Sequence, residues 1–275
     1  MPPRIHDIAP LPLSTSRMRV VVLGSGSGGN AVVVESGARR ILLDAGFACR
    51  EIERRLAAVG IDADTLDALV LTHEHVDHSR GADRFARRHH LPIFATAGTL
   101  EGSRLRAETA AAAIVLRSGE RREVGGFEIE PFALPHDARE PIGLVVEDGA
   151  GLRLGLAADL GCLSRLAWAR LAGLDVLLLE TNHDLDMLRN GPYPWALKQR
   201  VAGRHGHLSN LEAAQGLPEL VSERLRWVVL YHLSRTNNLP ALAAAAIGEA
   251  LERAGSRALV ALTHQFAPTP WLEVT

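Results

Sequence analysis

LTHEHVDHSRG (residues 71–81) packs His73, His75, Asp77 and His78 into six residues, directly after the apolar run DALVL. Imidazole and carboxylate are the groups that hold zinc and similar divalent ions where no cysteine is at hand. Alternate side chains of an extended segment share a face, so His73 and His75 point together and can share one ion. Asp77 and His78 fall where the following helix begins and can turn to a second. Other apolar runs also end in metal-binding groups: His136 ends FALPH, Asp159 ends LGLAAD and His232 ends WVVLYH. A polar loop with chance histidines gives no reason for that repetition.

The flanking sequence reads as short strands separated by turns and helices. MRVVVLG (18–24), NAVVVES (30–36) and RRILLDAG (39–46) are strands joined by tight turns. REIERRLAAVG (50–60) has apolar residues at helical spacing and a terminal glycine suited to a C-cap. DALVLTHEH is a buried strand running into a polar loop, SRGADRFARRHH (79–90) a basic helix, and PIFATAG a strand followed by a short helix. From about 113 to 158 the pattern is a meander punctuated by Gly-Glu, Gly-Gly and Asp-Gly turns. Strand 175–181, helices 193–203 and 209–223, strand 226–232, helix 240–254 and strand 257–263 complete the chain. Two strand-rich halves, each finished by helices, predict an α/β (α+β) domain over 18–275 with two sheets face to face and helices outside. The proline-rich residues 1–17 read as a flexible leader.

Composition narrows the function class. Of 275 residues 47% are hydrophobic and 23% charged, which is ordinary for a globular protein. A net charge of −2 gives no overall drive towards nucleic acid or an anionic membrane. Two cysteines without a C-x-x-C, no cleavable apolar N-terminus and no bilayer-length apolar run point to a cytoplasmic protein without a membrane partner.

GSGSGG (24–29) matches the G-x-G-x-x-G fingerprint of dinucleotide binding. That fingerprint needs a helix opening at the glycines, because the helix N-terminus receives the pyrophosphate. Here a β-branched run, NAVVVES, follows instead. The glycines join two strands, and no nucleotide cofactor is expected.

H-x-H-x-D-H, followed by separate His, Asp and His at strand ends, resembles the metallo-β-lactamase-fold hydrolases. The resemblance implies a four-layer αββα sandwich, two mixed sheets flanked by helices, with a two-metal site on one sheet edge. It implies one ion held by His73, His75 and His136, another by Asp77, His78 and His232, and Asp159 bridging them. The ions would be zinc, or else manganese or iron. Asp44, in ILLDAG, matches an aspartate that orients the ligand loop without binding metal. Ions so held would supply a nucleophilic hydroxide at neutral pH and polarise the scissile group. Glu180, ending DVLLLE, and His207, just before a helix, remain to carry the leaving-group proton. That pair is similar to one in the tRNA 3′-end-processing nucleases of the same fold. Their Gly-His-Ser segment is here Gly206-His207-Leu208-Ser209, one residue different.

GSGSGGNA, THEHVDH, PHDAREP, ETNHD with NGPYPWALKQR, GHLSN and YHLSRTNN together resemble the YycJ/WalJ branch of the fold, regarded as DNA exonucleases. This implies a dinuclear phosphodiesterase that trims DNA from an end. A small-molecule hydrolase acting on a cyclic phosphodiester, thioester or lactone is the alternative. Ser25, Ser27 and Asn30 in the glycine loop, and His183 in ETNHD, are candidate substrate contacts. Arg84, Arg87 and Arg88 on the helix after the metal loop, with Arg200 and Arg204 near His207, are candidate phosphate holders. Arg121 and Arg122 read as a solvated face.

Overall fold

A computed structural model describes residues 17–162 and 164–274 of the chain, so the leader expected over 1–17 lies, Arg17 apart, outside the described residues. The strands run in chain order as β1 (Met18–Gly24), β2 (Ala31–Ser36), β3 (Arg39–Leu43), β4 (Ala68–Val70), β5 (Ile93–Thr96) and β6 (Ile114–Leu116). Then follow β7 (Arg122–Val124), β8 (Phe127–Ala133), β9 (Ile142–Glu147), β10 (Arg153–Ala157), β11 (Val176–Glu180), β12 (Trp227–Tyr231) and β13 (Leu259–Leu262). The last, β14 (Leu272–Val274), returns to lie antiparallel beside β1. They build two seven-stranded sheets, ordered β14-β1-β2-β3-β4-β5-β6 and β13-β12-β11-β10-β9-β8-β7.

Both sheets are mixed. β1 to β3 pair antiparallel, then β3 to β6 run parallel. β7 to β10 form an antiparallel meander, and β10 to β13 are parallel. The strands read as unbroken apolar runs because both of their faces are covered. In β1, Val20 and Val22 enter the core between the sheets, while Val21 and Leu23 pack outward against helices Cys49–Ala58 and Ala82–His89. In the second sheet, Leu178 and Val229 face the shared core. Leu177 and Val228 face the opposite layer, formed by helices Arg165–Arg170, Asn210–Gly216 and Pro240–Arg253. The four layers are the expected αββα sandwich.

Two details depart from the sequence reading. Residues 114–116 do not open the meander but join the first sheet, parallel to β5, carried back by helix Ala107–Ala112. β14, only three residues long, carries too little periodicity to be seen in the sequence. Among the described residues no helix is long and apolar enough to cross a membrane.

Candidate metal centre

The C-terminal ends of parallel strands lie together on one edge of a sheet, and the site grows there. Asp44 follows β3, the loop 71–75 and then the helical turn Val76–Ser79 follow β4, Asp159 follows β10, Glu180 ends β11 and His232 follows β12. Asp44, Asp159 and His232 take φ of 61°, 55° and 56°. Left-handed backbone is uncommon outside glycine and strained, and it turns each side chain sharply off its strand.

Two sets of ligand atoms meet at this edge, each within 4.8 Å of one another: His73, His75, His136 and Asp159 in one, and Asp77, His78, Asp159 and His232 in the other. Asp159 belongs to both. The residues that the sequence singled out at 73–78, 136, 159 and 232 are thus all brought together. A third set, Asp159, Glu180, His207 and His232, adjoins them.

Neighbouring groups fix the imidazoles. His78 Nδ1 donates to Asp44 Oδ2 at 2.7 Å, and Asp44 also accepts from the Thr72 backbone N–H at 2.8 Å and from Thr72 Oγ1. Asp44 therefore ties the ligand loop to β3 from beneath. His136 Nδ1 donates to the Gly206 carbonyl at 3.0 Å, which turns its Nε2 towards His75 Nδ1, 3.2 Å away. His232 Nδ1 is paired with Asp159 and lies 3.2 Å from Glu180 Oε1. His207 Nδ1 donates to the same Glu180 Oε1 at 2.7 Å, while Glu180 Oε2 accepts from the backbone N–H of Leu160 and Leu208. Glu180 is fully buried, and these bonds fix its orientation.

The electrostatics favour a cation. Burial opposes charge on His78 and His232, but the Asp159 carboxylate outweighs it and holds both well above the ordinary imidazole range. Burial likewise works against the Asp159 charge, yet His232 and His78 keep it well below the ordinary carboxylate range. Protons on two histidines thus balance the buried carboxylates where a divalent ion would do the same. His73 differs: burial, with repulsion from His78, pushes it down to about 4, leaving a neutral ring. The buried Nε2 atoms of His73 and His232 have no hydrogen-bond partner. Buried polar atoms are rarely left unpaired; the neutral His73 offers an Nε2 lone pair beside Asp159, and an ion that replaced the His232 proton would take that ring's Nε2 beside Asp77.

The centre opens into a cavity of about 220 Å³ whose walls include Ser27, His75, Asp77, Asp159, His207 and His232. Not every expected contact reaches it. Ser25 and Asn30 are buried, so the expectation that they touch substrate is corrected. Ser25 Oγ accepts from the His232 backbone N–H and lies 3.1 Å from Asn30 Oδ1, while Asn30 Nδ2 meets the Gly26 and Asp77 carbonyls and His78 Nε2. These polar atoms fasten the glycine loop to the metal loop. His183 is corrected too: it is 1% exposed, lies outside the cavity wall, and has neither ring nitrogen partnered. Arg84, Arg87 and Arg88 are not in the wall either; Arg87 pairs with Asp83 and Arg88 with Glu53. Arg200 is, and it pairs with Asp137 Oδ2 at 2.6 Å. Arg121 pairs with Glu128 and Glu130.

Sequence reasoning passed over Asp137, Asn182, Tyr193 and Ser234, which also line the cavity. Asp137, Asn182 and Ser234 stand one or two residues beyond His136, Glu180 and His232, so nearness to a strand-tip ligand was the available signal. Tyr193 had none.

Over residues 39–233 the sequence matches the family described as beta-lactamase superfamily domain. It is 30% identical over 236 residues to exodeoxyribonuclease YycJ of Bacillus anthracis, covering 85% of this chain and 89% of that protein. With exodeoxyribonuclease WalJ of Streptococcus pneumoniae it shares 32% identity over 228 residues, 81% of this chain and 84% of the other. Its fold superposes on the crystal structure of YhfI from Bacillus subtilis, a metallo-beta-lactamase fold protein. There the TM-score is 0.71 at 18% identity, over 92% of this chain and 99% of that one.

Proposed function

This chain belongs to the beta-lactamase superfamily, and we propose that it is a metal-dependent nuclease that trims DNA from an end. The convergence of two His/Asp sets on Asp159, beside a buried Glu180–His207 pair, carries the reading. His73, His75 and His136 would hold one divalent ion, Asp77, His78 and His232 a second, with Asp159 shared. Such ions supply a nucleophilic hydroxide near neutral pH and neutralise charge that builds on a phosphoryl group. Zinc, manganese and iron all suit this all-N/O donor set.

The remaining residues orient and move protons. Asp44 holds His78 in one tautomer and the Gly206 carbonyl does the same for His136. Glu180 keeps its charge in the folded state: burial opposes it, but the His207 charge and hydrogen bond bring it down to about 2. The same carboxylate outweighs the effect of burial on His207 and raises its proton affinity. A ring so held, on the cavity wall, is placed to give a proton to a leaving oxygen.

Cavity size bears on the substrate. Pockets that enclose a whole small ligand run to about 300–1,000 Å³. One of about 220 Å³ suits the reacting end of a larger molecule. The names of the two relatives favour DNA, and we place the activity in the cytoplasm, in a single domain over 18–275.

Metal-depleted protein reconstituted separately with zinc and manganese, then assayed on end-labelled DNA, RNA and bis(p-nitrophenyl) phosphate, tests this. Progressive shortening of DNA is expected, abolished by His75→Ala or Asp159→Ala. His207→Ala should slow turnover about 10²- to 10⁴-fold with metal content unchanged. Turnover only of a small ester, or wild-type activity in Asp159→Ala, would overturn the reading.

A further inference from the structure

Trp195 is 70% exposed, and with Phe266 it makes up the aromatic part of the large apolar side chains left open to solvent among the described residues. Phe266 has the Arg235 guanidinium stacked 4.7 Å from its ring centroid and lies outside both the metal cavity and the cleft beside it. Trp195 has no such partner among the described residues. Its place matters, because it opens helix Trp195–Val201, whose Leu197, Arg200 and Val201 line the metal cavity. The other side of the same helix borders a second, mostly apolar cleft of about 200 Å³, formed by Leu185, Leu188 and Trp195 and rimmed by Arg189 and Lys198. Among the described residues no carboxylate lines that cleft, although Arg189 pairs with Asp186 at 3.5 Å beside it and Lys198 Nζ donates to the Arg189 carbonyl.

We infer that this cleft is the subsite for the nucleotides just beyond the cleavage point, with Trp195 as the platform on which a base stacks. The assignment rests on the nuclease reading above. An apolar floor with a cationic rim matches a nucleotide's two halves, base and phosphate, as strand-binding grooves do. The cavity and the cleft lie on opposite faces of helix Trp195–Val201 and approach each other at its N-terminal end, where Tyr193 lines one and, two residues on, Trp195 lines the other. That nearness makes the occupant the strand already entering the metal cavity. Tyr193, on the cavity wall, and Trp195 are each preceded by a proline, Pro192 and Pro194. Those fixed φ angles limit how far the two rings stray before a strand arrives.

The test uses the full chain, metal-free in chelator so that nothing is cut, titrated with a labelled thymidylate strand of about eight nucleotides. Trp195→Ala should weaken binding roughly 5- to 150-fold, as loss of one stacked base predicts, and Trp195→Phe should restore most of it. Quenching of tryptophan fluorescence by the strand should fall in Trp195→Ala. With metal restored, this variant should turn over bis(p-nitrophenyl) phosphate like wild type, while its DNA cleavage suffers through KM rather than kcat. A uridylate strand bound with the same Trp195 dependence supports stacking equally, since the platform reads a ring and not a sugar. Equal binding by wild type and Trp195→Ala overturns the subsite. So does parallel loss of phosphate-ester turnover, or a wild-type dimer that Trp195→Ala dissolves. Trp195-dependent binding without any metal-dependent cleavage would leave the subsite standing and remove the nuclease reading alone.

Discussion

Asp44 shows how much a single side chain contributes here without touching substrate. Its carboxylate is fully buried, its backbone is held at a φ of 61°, and its oxygens accept from Thr72 and His78. Removing it frees the His78 ring and unties the loop carrying three further ligands. Asp44→Ala should therefore weaken metal binding about 10- to 100-fold, measured by competition with a chromophoric chelator. Unchanged affinity would show that loop packing alone sets the ligands. The sequence made Asp44 visible only through resemblance, since one aspartate after a strand has many uses. Ser25 and Asn30 mark the opposite limit. Their polarity and their place in a glycine loop suggested substrate contact, but the fold spends both on internal bonds.

Helix Cys49–Ala58 illustrates the element level. Its apolar face was legible from spacing, whereas the use of its charged residues was not. Arg55 is 3% exposed, donates to the Leu23 carbonyl at 2.7 Å and to Glu51 at 2.6 Å, and lies 3.9 Å from the Phe47 ring centroid. It thereby joins the helix to the end of β1, beside the glycine loop. Hydrogen bonding to Arg54 above all, with burial opposing and Arg55 assisting, lowers Glu51 to about 2. The folded value lies below the unfolded one of about 4.3, so Glu51 stabilises the fold above that pH and loses its effect as pH falls towards 2. Glu51→Gln should cost about 0.5–1 kcal/mol at pH 7, discounted for partial exposure. By pH 3 the gap between wild type and variant in urea unfolding should narrow to under half. A gap that widens with acid would contradict the assignment.

For the molecule as a whole, the proposed metal centre lies where the two sheets meet. His73, His75, Asp77 and His78 come from the first sheet, and His136, Asp159 and His232 from the second. An ion held by both sets resists their separation, and binding to the folded chain alone stabilises it by mass action. Zinc at about 100 times its dissociation constant should add about 2.7 kcal/mol. For a chain of this size that raises Tm by roughly 5–10 °C. Chelator should reverse the rise, and Asp159→Ala should not show it. A Tm indifferent to zinc in the wild type would speak against a cation at this junction.

Periodicity and ligand chemistry, both local properties, carried most of what the chain alone revealed. Apolar runs of five to seven residues had to be strands covered on both faces, and a His/Asp cluster beyond one of them had to be a site of concentrated charge. The same logic placed the glycines of 24–29 between two strands, because the β-branched run that follows is too short for a helix and closes on the Ser36-Gly37 turn. Which sheet claims Ile114–Leu116, and whether Leu272–Val274 pairs at all, depended on partners far along the chain. Burial is also a long-range property. It removed Ser25, Asn30 and His183 from the cavity and left Tyr193, Arg200 and Ser234 in its wall. A three-residue strand or a polar loop residue lacks enough local free energy to choose its own surroundings, so packing between distant segments chooses for it.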